Sequence, residues 1–195
     1  PKTVEAIRSG KWDRVVLQEQ SQTPAYFRDR FGKGAERLDR AIRESGSKPV
    51  FYMTWGRRDG DKRDLSRAPD YETMQKLLTD SYEAVGKDLG IEVAPIGRAW
   101  REVRERDAEL WKQLYGKDGS HPSGKGAYLA ALVFAHALFG RPPSEVKFDG
   151  GLEEDEVRVL KEAAAAALEK RAPSCEGRGT PGTAGRMPRG PGGGK

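Results

Sequence analysis

The chain has 195 residues, a formal net charge of +5 and a mean hydropathy of −0.77. That length suits one domain with a real core, and no apolar run reaches the roughly 18 residues of a membrane span. The single cysteine, Cys175, excludes an internal disulfide, and the basic excess sits at one end. Residues 171–195 hold five basic side chains (Arg171, Arg178, Arg186, Arg189, Lys195) against Glu176 alone, and the rest is balanced at 30 basic and 29 acidic. A nearly neutral body argues against a nucleic-acid partner.

In chain order, Thr3–Ser9 reads as the end of a helix stopped by Gly10. Trp12–Gln18 is a short β-branched run, a buried strand that ends in the polar stretch Gln18-Glu-Gln-Ser-Gln-Thr-Pro24. Lys33–Ser45 places Ala35, Leu38 and Ile42 on one helical face, closed by Gly46. Lys48–Trp55 is a second strand, followed by the charged, glycine-punctuated loop Gly56–Asp64.

Asp70 is a suitable N-cap for a helix whose core face is Tyr71, Met74, Leu78, Tyr82, Val85 and Leu89, ending at Gly90. Ile91–Pro95 is a third strand. Arg98–Leu114 is helical with Trp100, Val103, Leu110, Trp111 and Leu114 inward, and Pro122–Phe139 is a helix apolar almost all round, expected to be deeply buried. Leu152–Lys170 is a last helix with Glu153, Glu154, Asp155 and Glu156 in its first turns. From Ala172 onward glycine and proline dominate, so 172–195 is expected to be a disordered tail behind a single domain, 1–171. Strands alternating with helices predict an α/β fold with a parallel sheet covered on both faces.

Ligands in such folds bind at the carboxyl ends of the strands. Three polar clusters converge there: Gln18 to Ser21, Thr54-Trp55 with the charged loop, and the pair Asp118 and His121 in the glycine-rich turn before Pro122. Only two histidines exist, and His136 lies inside the apolar helix as a core residue. No zinc-type ligand spacing and no glycine-rich phosphate loop is present, so no metal and no cofactor is expected.

The string Asp118-Gly-Ser-His-Pro-Ser-x-x-Gly-x-Tyr-Leu-Ala-Ala131 resembles the last sequence block of the SGNH (GDSL-like) hydrolases. Leu17-Gln-Glu-Gln-Ser21 and Met53-Thr-Trp-Gly-Arg-Arg-Asp-Gly-Asp61 are similar to a bacterial branch of that superfamily. The resemblance implies a flavodoxin-like three-layer α/β/α fold and a serine esterase with His121 as general base and Asp118 as its orienter. It implies an amide donor for the oxyanion from Gln18 or Gln20, with Trp55 and Arg57 as candidates to line the substrate site. The substrate would be a small-molecule ester such as an acetylated carbohydrate, and members of the family are often secreted or periplasmic.

One part of the pattern is missing. The Gly-Asp/Asn-Ser block that carries the family's nucleophile has no counterpart here, nor is there a Gly-x-Ser-x-Gly turn. With only three strands and a start at Pro1 rather than Met, the chain is expected to be the C-terminal part of such a hydrolase, inactive alone, with the Val15–Leu17 strand edge exposed. The alternative is a non-catalytic flavodoxin-like binding or interaction domain.

Overall fold

A computed structural model of the chain describes residues 2–170. The expected tail, 172–195, lies outside the described residues. The elements are α1 (Lys2–Ser9), β1 (Arg14–Leu17), α2 (Gln22–Tyr26), α3 (Arg28–Glu44), β2 (Lys48–Tyr52), α4 (Tyr71–Leu89), β3 (Glu92–Ala94), α5 (Ile96–Arg106), α6 (Ala108–Gln113), α7 (Gly124–Phe139), a 3₁₀ turn (Pro143–Glu145) and α8 (Glu154–Glu169). The sheet has three strands in the order β1-β2-β3, all parallel, as the alternation of strands and helices requires.

Side-chain alternation along β2 divides the core into two layers. Val50 packs into a cluster formed with α5, α6, α7 and α8, and Tyr52 packs against its edge. Phe51 and Met53 point the other way, into a cluster with Phe31 and Ala35 of α3 and Met74, Leu78, Tyr82 and Val85 of α4. Phe31, Phe51 and Tyr82 meet there with ring centroids 4.8–5.7 Å apart. Gly86 lets α4 lie against the sheet, since a Cβ there would stand 2.8 Å from Val93 Cγ2.

Local sequence explains most boundaries. Asp70 caps α4, its carboxylate accepting from Thr73 N at 2.8 Å, and Gly90 ends the helix in the left-handed region at φ 63°. The single helix expected over Arg98–Leu114 is broken at Asp107, whose backbone is extended and whose carboxylate caps α6 through Glu109 N and Leu110 N. Aspartate favours this role because its side chain replaces the backbone acceptor. α7 begins two residues later than expected. Pro122 instead forms a bridge with Tyr115, and Ser123 is the N-cap. The polar stretch after β1 hides a short helix, α2, and α3 starts at Arg28 rather than Lys33.

α7 is not buried all round. Ala127 and Ala131 are exposed and Phe134, Ala135 and Leu138 only partly covered, a stripe at helical spacing. Val16 of β1, which alternation points away from the α3 layer that holds Val15 and Leu17, is 40% exposed. β1 therefore leaves Val16 uncovered and has, among the described residues, no strand on its outer edge.

Candidate active site

The loop between α6 and α7 is closed at its base and shaped by its own hydrogen bonds. Ser123 N donates to Leu114 O at 2.8 Å and Gly116 N to His121 O at 2.8 Å. Gly119 takes a positive φ of 66°, the conformation that glycine alone adopts at no cost. This turn lets one oxygen of Asp118, Oδ1, accept from both Ser120 N and His121 N at 2.9 Å. The other oxygen, Oδ2, stands 2.5 Å from His121 Nδ1.

An ionised carboxylate can only accept, so Nδ1 carries a proton, and in the neutral imidazole Nε2 is the nitrogen with the lone pair. The His121 hydrogen bond and the two backbone donors hold Asp118 well below the usual carboxylate range. The imidazole is 83% exposed, and Nε2 has no partner among the described residues. An oriented histidine with a free, basic nitrogen facing outward can abstract a proton from a group brought to it.

The loop is held to the end of β2. Trp55 Nε1 donates to Ser120 O at 3.0 Å, and Arg58 N donates to Gly119 O at 2.9 Å. The Trp55 ring stacks on Trp100 of α5, with centroids 4.0 Å apart and planes within 4°. Tyr115 donates its phenolic hydrogen to Gly56 O at 2.8 Å. Trp55 is thus a buried strand-end aromatic, 8% exposed, that supports the loop from below.

Arg57 is also engaged. Its guanidinium pairs with Asp61, whose side chain is fully buried. The same carboxylate accepts from Gln22 Nε2 at 2.6 Å, Tyr26 Oη at 3.0 Å and Arg63 N at 3.1 Å. Burial pushes the Asp61 carboxyl up, but those hydrogen bonds and the Arg57 charge outweigh it and hold the group below its ordinary value. The loop Gly56–Asp64 reads in the sequence as solvated charge. The structure instead makes Asp61 the knot that ties α2 to the end of β2. Its only sequence signal is an aspartate in a glycine-punctuated stretch, whose side chain can accept from the backbone N–H two residues on, a common turn pattern.

The two glutamines part company. Gln20 Oε1 accepts from Gln22 N at 2.9 Å and Thr23 N at 3.3 Å, and its Nε2 donates to Gln22 Oε1 at 2.8 Å. Gln18, the residue after β1, is exposed and its amide makes no hydrogen bond among the described residues. Ser21 Oγ lies 3.3 Å from Thr54 Oγ1, and no serine hydroxyl is bonded to His121 among the described residues. His136, within α7, is far in sequence from this loop, and its buried Nδ1 has no partner among the described residues. Within the same limits, no group of three His, Cys, Asp or Glu could hold a metal ion, and no helix is long and apolar enough to cross a membrane.

No family model and no curated protein matches this sequence. Two solved structures are similar to it. A DUF4886 family protein from Bacteroides uniformis superposes with a TM-score of 0.75 at 19% identity, over 89% of this chain and 69% of its own. At that identity the likeness shows the fold alone. A protein from Slackia heliotrinireducens, described as a candidate SGNH hydrolase, superposes with a TM-score of 0.60 at 31% identity, over 69% of this chain and 70% of its own. With a parallel α/β sheet and a relative this similar across two thirds of both chains, the protein belongs to the SGNH hydrolase superfamily.

Proposed function

We propose that this chain carries the acid–base half of a serine ester hydrolase, acting on a small acyl ester such as an acetylated carbohydrate. The observation that carries the reading is the Asp118–His121 pair, with Nδ1 bound at 2.5 Å and Nε2 open. In the proposed reaction Nε2 takes the proton of a serine hydroxyl as its oxygen attacks the ester carbonyl. The C–O bond to the alcohol then breaks, and His121 returns the proton to that leaving oxygen. Water, activated by the same nitrogen, hydrolyses the acyl-enzyme and frees the serine. Asp118 keeps the tautomer fixed and stabilises the imidazolium. Gln18 is the better candidate for the oxyanion donor, because the Gln20 amide is already spent on α2. One such donor is worth about 3–4 kcal/mol in the transition state.

The serine is assigned to a segment outside this chain. The bare outer edge of β1, the exposed Val16 and the open stripe of α7 favour a further strand and helix at that place. A fluorophosphonate probe tests the assignment. The 195-residue chain should remain unlabelled by intact mass, and a stoichiometric adduct on Ser21, Ser120 or another of its serines would refute it.

That no serine of the described residues is bonded to His121 also favours a second reading, a non-catalytic binding domain that kept the fold. The upstream reading frame separates the two: a strand followed by a Gly-x-Ser turn supports the hydrolase, and a start codon immediately before the Pro1 codon supports the binding domain.

A further inference from the structure

An open groove of about 930 Å³ runs from Glu19, just past the carboxyl end of β1, along the outer face of α3. Its lining is unusual for this otherwise charge-balanced domain. Arg28, Arg30, Lys33 and Arg37 contribute four cations, and Glu19 and Asp29 contribute two carboxylates. Arg30, Lys33 and Arg37 follow a helical spacing that places them in one row. The ion pairs of α3 lie elsewhere, in Arg40–Glu36, Arg43–Asp39 and Glu44 with Arg8. The four groove cations have no carboxylate partner among the described residues.

Gly34, which has no side chain, lies in the same lining. At the head of the groove Phe27 is 51% exposed. Its neighbour Tyr26 is fixed by the bond to buried Asp61. The Arg67 guanidinium lies 5.3 Å from the Phe27 centroid and 5.4 Å from that of Tyr26, adding a cation to the aromatic rim.

We infer that this groove binds an acidic carbohydrate chain, a polymer whose ring faces stack on Phe27 and whose carboxylates pair with Arg30, Lys33 and Arg37. The inference rests on the esterase reading for its purpose, which is to hold an esterified acidic glycan on the protein. A chain with spaced charges fits better than a nucleic acid. One exposed aromatic ring is not the series of stacking platforms that single-stranded nucleic acid uses, and a continuous phosphate backbone would run onto Glu19 and Asp29.

The test is binding alone, so it does not depend on hydrolysis. Fluorescence anisotropy of a labelled oligogalacturonate should show binding to the full chain that weakens with salt. The Arg30→Gln/Lys33→Gln/Arg37→Gln variant should bind about tenfold or more weakly, and Phe27→Ala should also bind more weakly. All three substituted groove cations are exposed, so the fold should survive, which circular dichroism checks. The basic residues of 171–195 are unchanged in these variants, so affinity retained in the triple variant belongs to them and overturns the inference. Equal binding of a neutral maltooligosaccharide, tighter binding of an oligothymidylate, or no binding of the oligogalacturonate would overturn it as well. Oligogalacturonate binding that persists while the serine assignment fails would leave the groove standing and remove only the esterase.

Discussion

Gly126 explains how α7 is seated, and replacing it gives a quantitative test of that seating. A Cβ built on Gly126 would lie 2.3 Å from Leu114 O and 2.8–2.9 Å from the Trp100 ring. Ordinary contact is about 3.5 Å, so Gly126→Ala must displace the start of α7 by roughly 1 Å. The obstacle is stiff, because Leu114 O is a backbone atom already bonded to Ser123 N, and Trp100 is pinned under Trp55. Overpacking of this kind costs about 1–3 kcal/mol, and the helix preference of alanine over glycine returns at most about 1 kcal/mol. The net expectation is a loss of about 1–2 kcal/mol, or a fall in Tm of about 3–6 °C for a domain of this size. Gly124→Ala is the internal control, since a Cβ there meets nothing within 4 Å. It should be neutral or stabilise by up to about 1 kcal/mol through the same helix preference. Urea unfolding followed by circular dichroism compares the two. Equal stability of the two variants would refute the argument that Gly126 is required by close approach.

Other consequences follow from the same contacts. Trp55→Phe keeps an aromatic ring on Trp100 but removes the N–H to Ser120 O; it should cost about 1 kcal/mol in urea unfolding. Asp61→Ala strands Arg57, Gln22 and Tyr26 around a buried gap and should cost about 3 kcal/mol or more, measured the same way. Acid should destabilise the fold. Asp59 is held at about 2 by Arg58, and Asp61, Asp70, Glu102 and Asp118 are also depressed. Below pH 4 the unfolded chain binds more protons, so stability falls as pH drops, and a Tm profile that stays flat from pH 6 to pH 3 would contradict this. At the alkaline end burial raises Tyr52 and Tyr82 to about 12, so the stability they contribute is lost as pH rises past 10 toward that value.

Much of the fold was legible because it rests on local physics. The three strands lie within short apolar runs, and α4 shows its core face, its Asp70 cap and its Gly90 stop in the sequence. The boundaries that differed were decided by single side chains. Asp107 serves as a cap in the middle of a continuous amphipathic pattern, and Ser123 caps α7, which leaves Pro122 outside the helix. Neither choice changes the periodicity, so periodicity cannot reveal it.

The site was legible in part for a similar reason. Asp118 and His121 are three residues apart, and a turn between them is enough to join their side chains. The burial of Asp61 depends on Gln22 and Tyr26, some 35–39 residues away in sequence. Such a contact leaves no local trace. The different engagement of Gln18 and Gln20 is also tertiary, since it depends on the short helix α2 that the polar composition conceals. The all-round apolarity of α7 was read as deep burial, yet one stripe of it stands open. That discrepancy is the physical basis for placing a further strand and helix beside β1.

We propose that His121, oriented by Asp118, is the base for a serine that the described residues do not place on it. The direct measurement is hydrolysis of p-nitrophenyl acetate by the protein extended through its upstream reading frame, with and without His121→Ala. The account predicts serine-dependent turnover that falls by about a thousandfold or more in the variant, whose fold should be unchanged because the imidazole is exposed. Turnover retained in His121→Ala would contradict it.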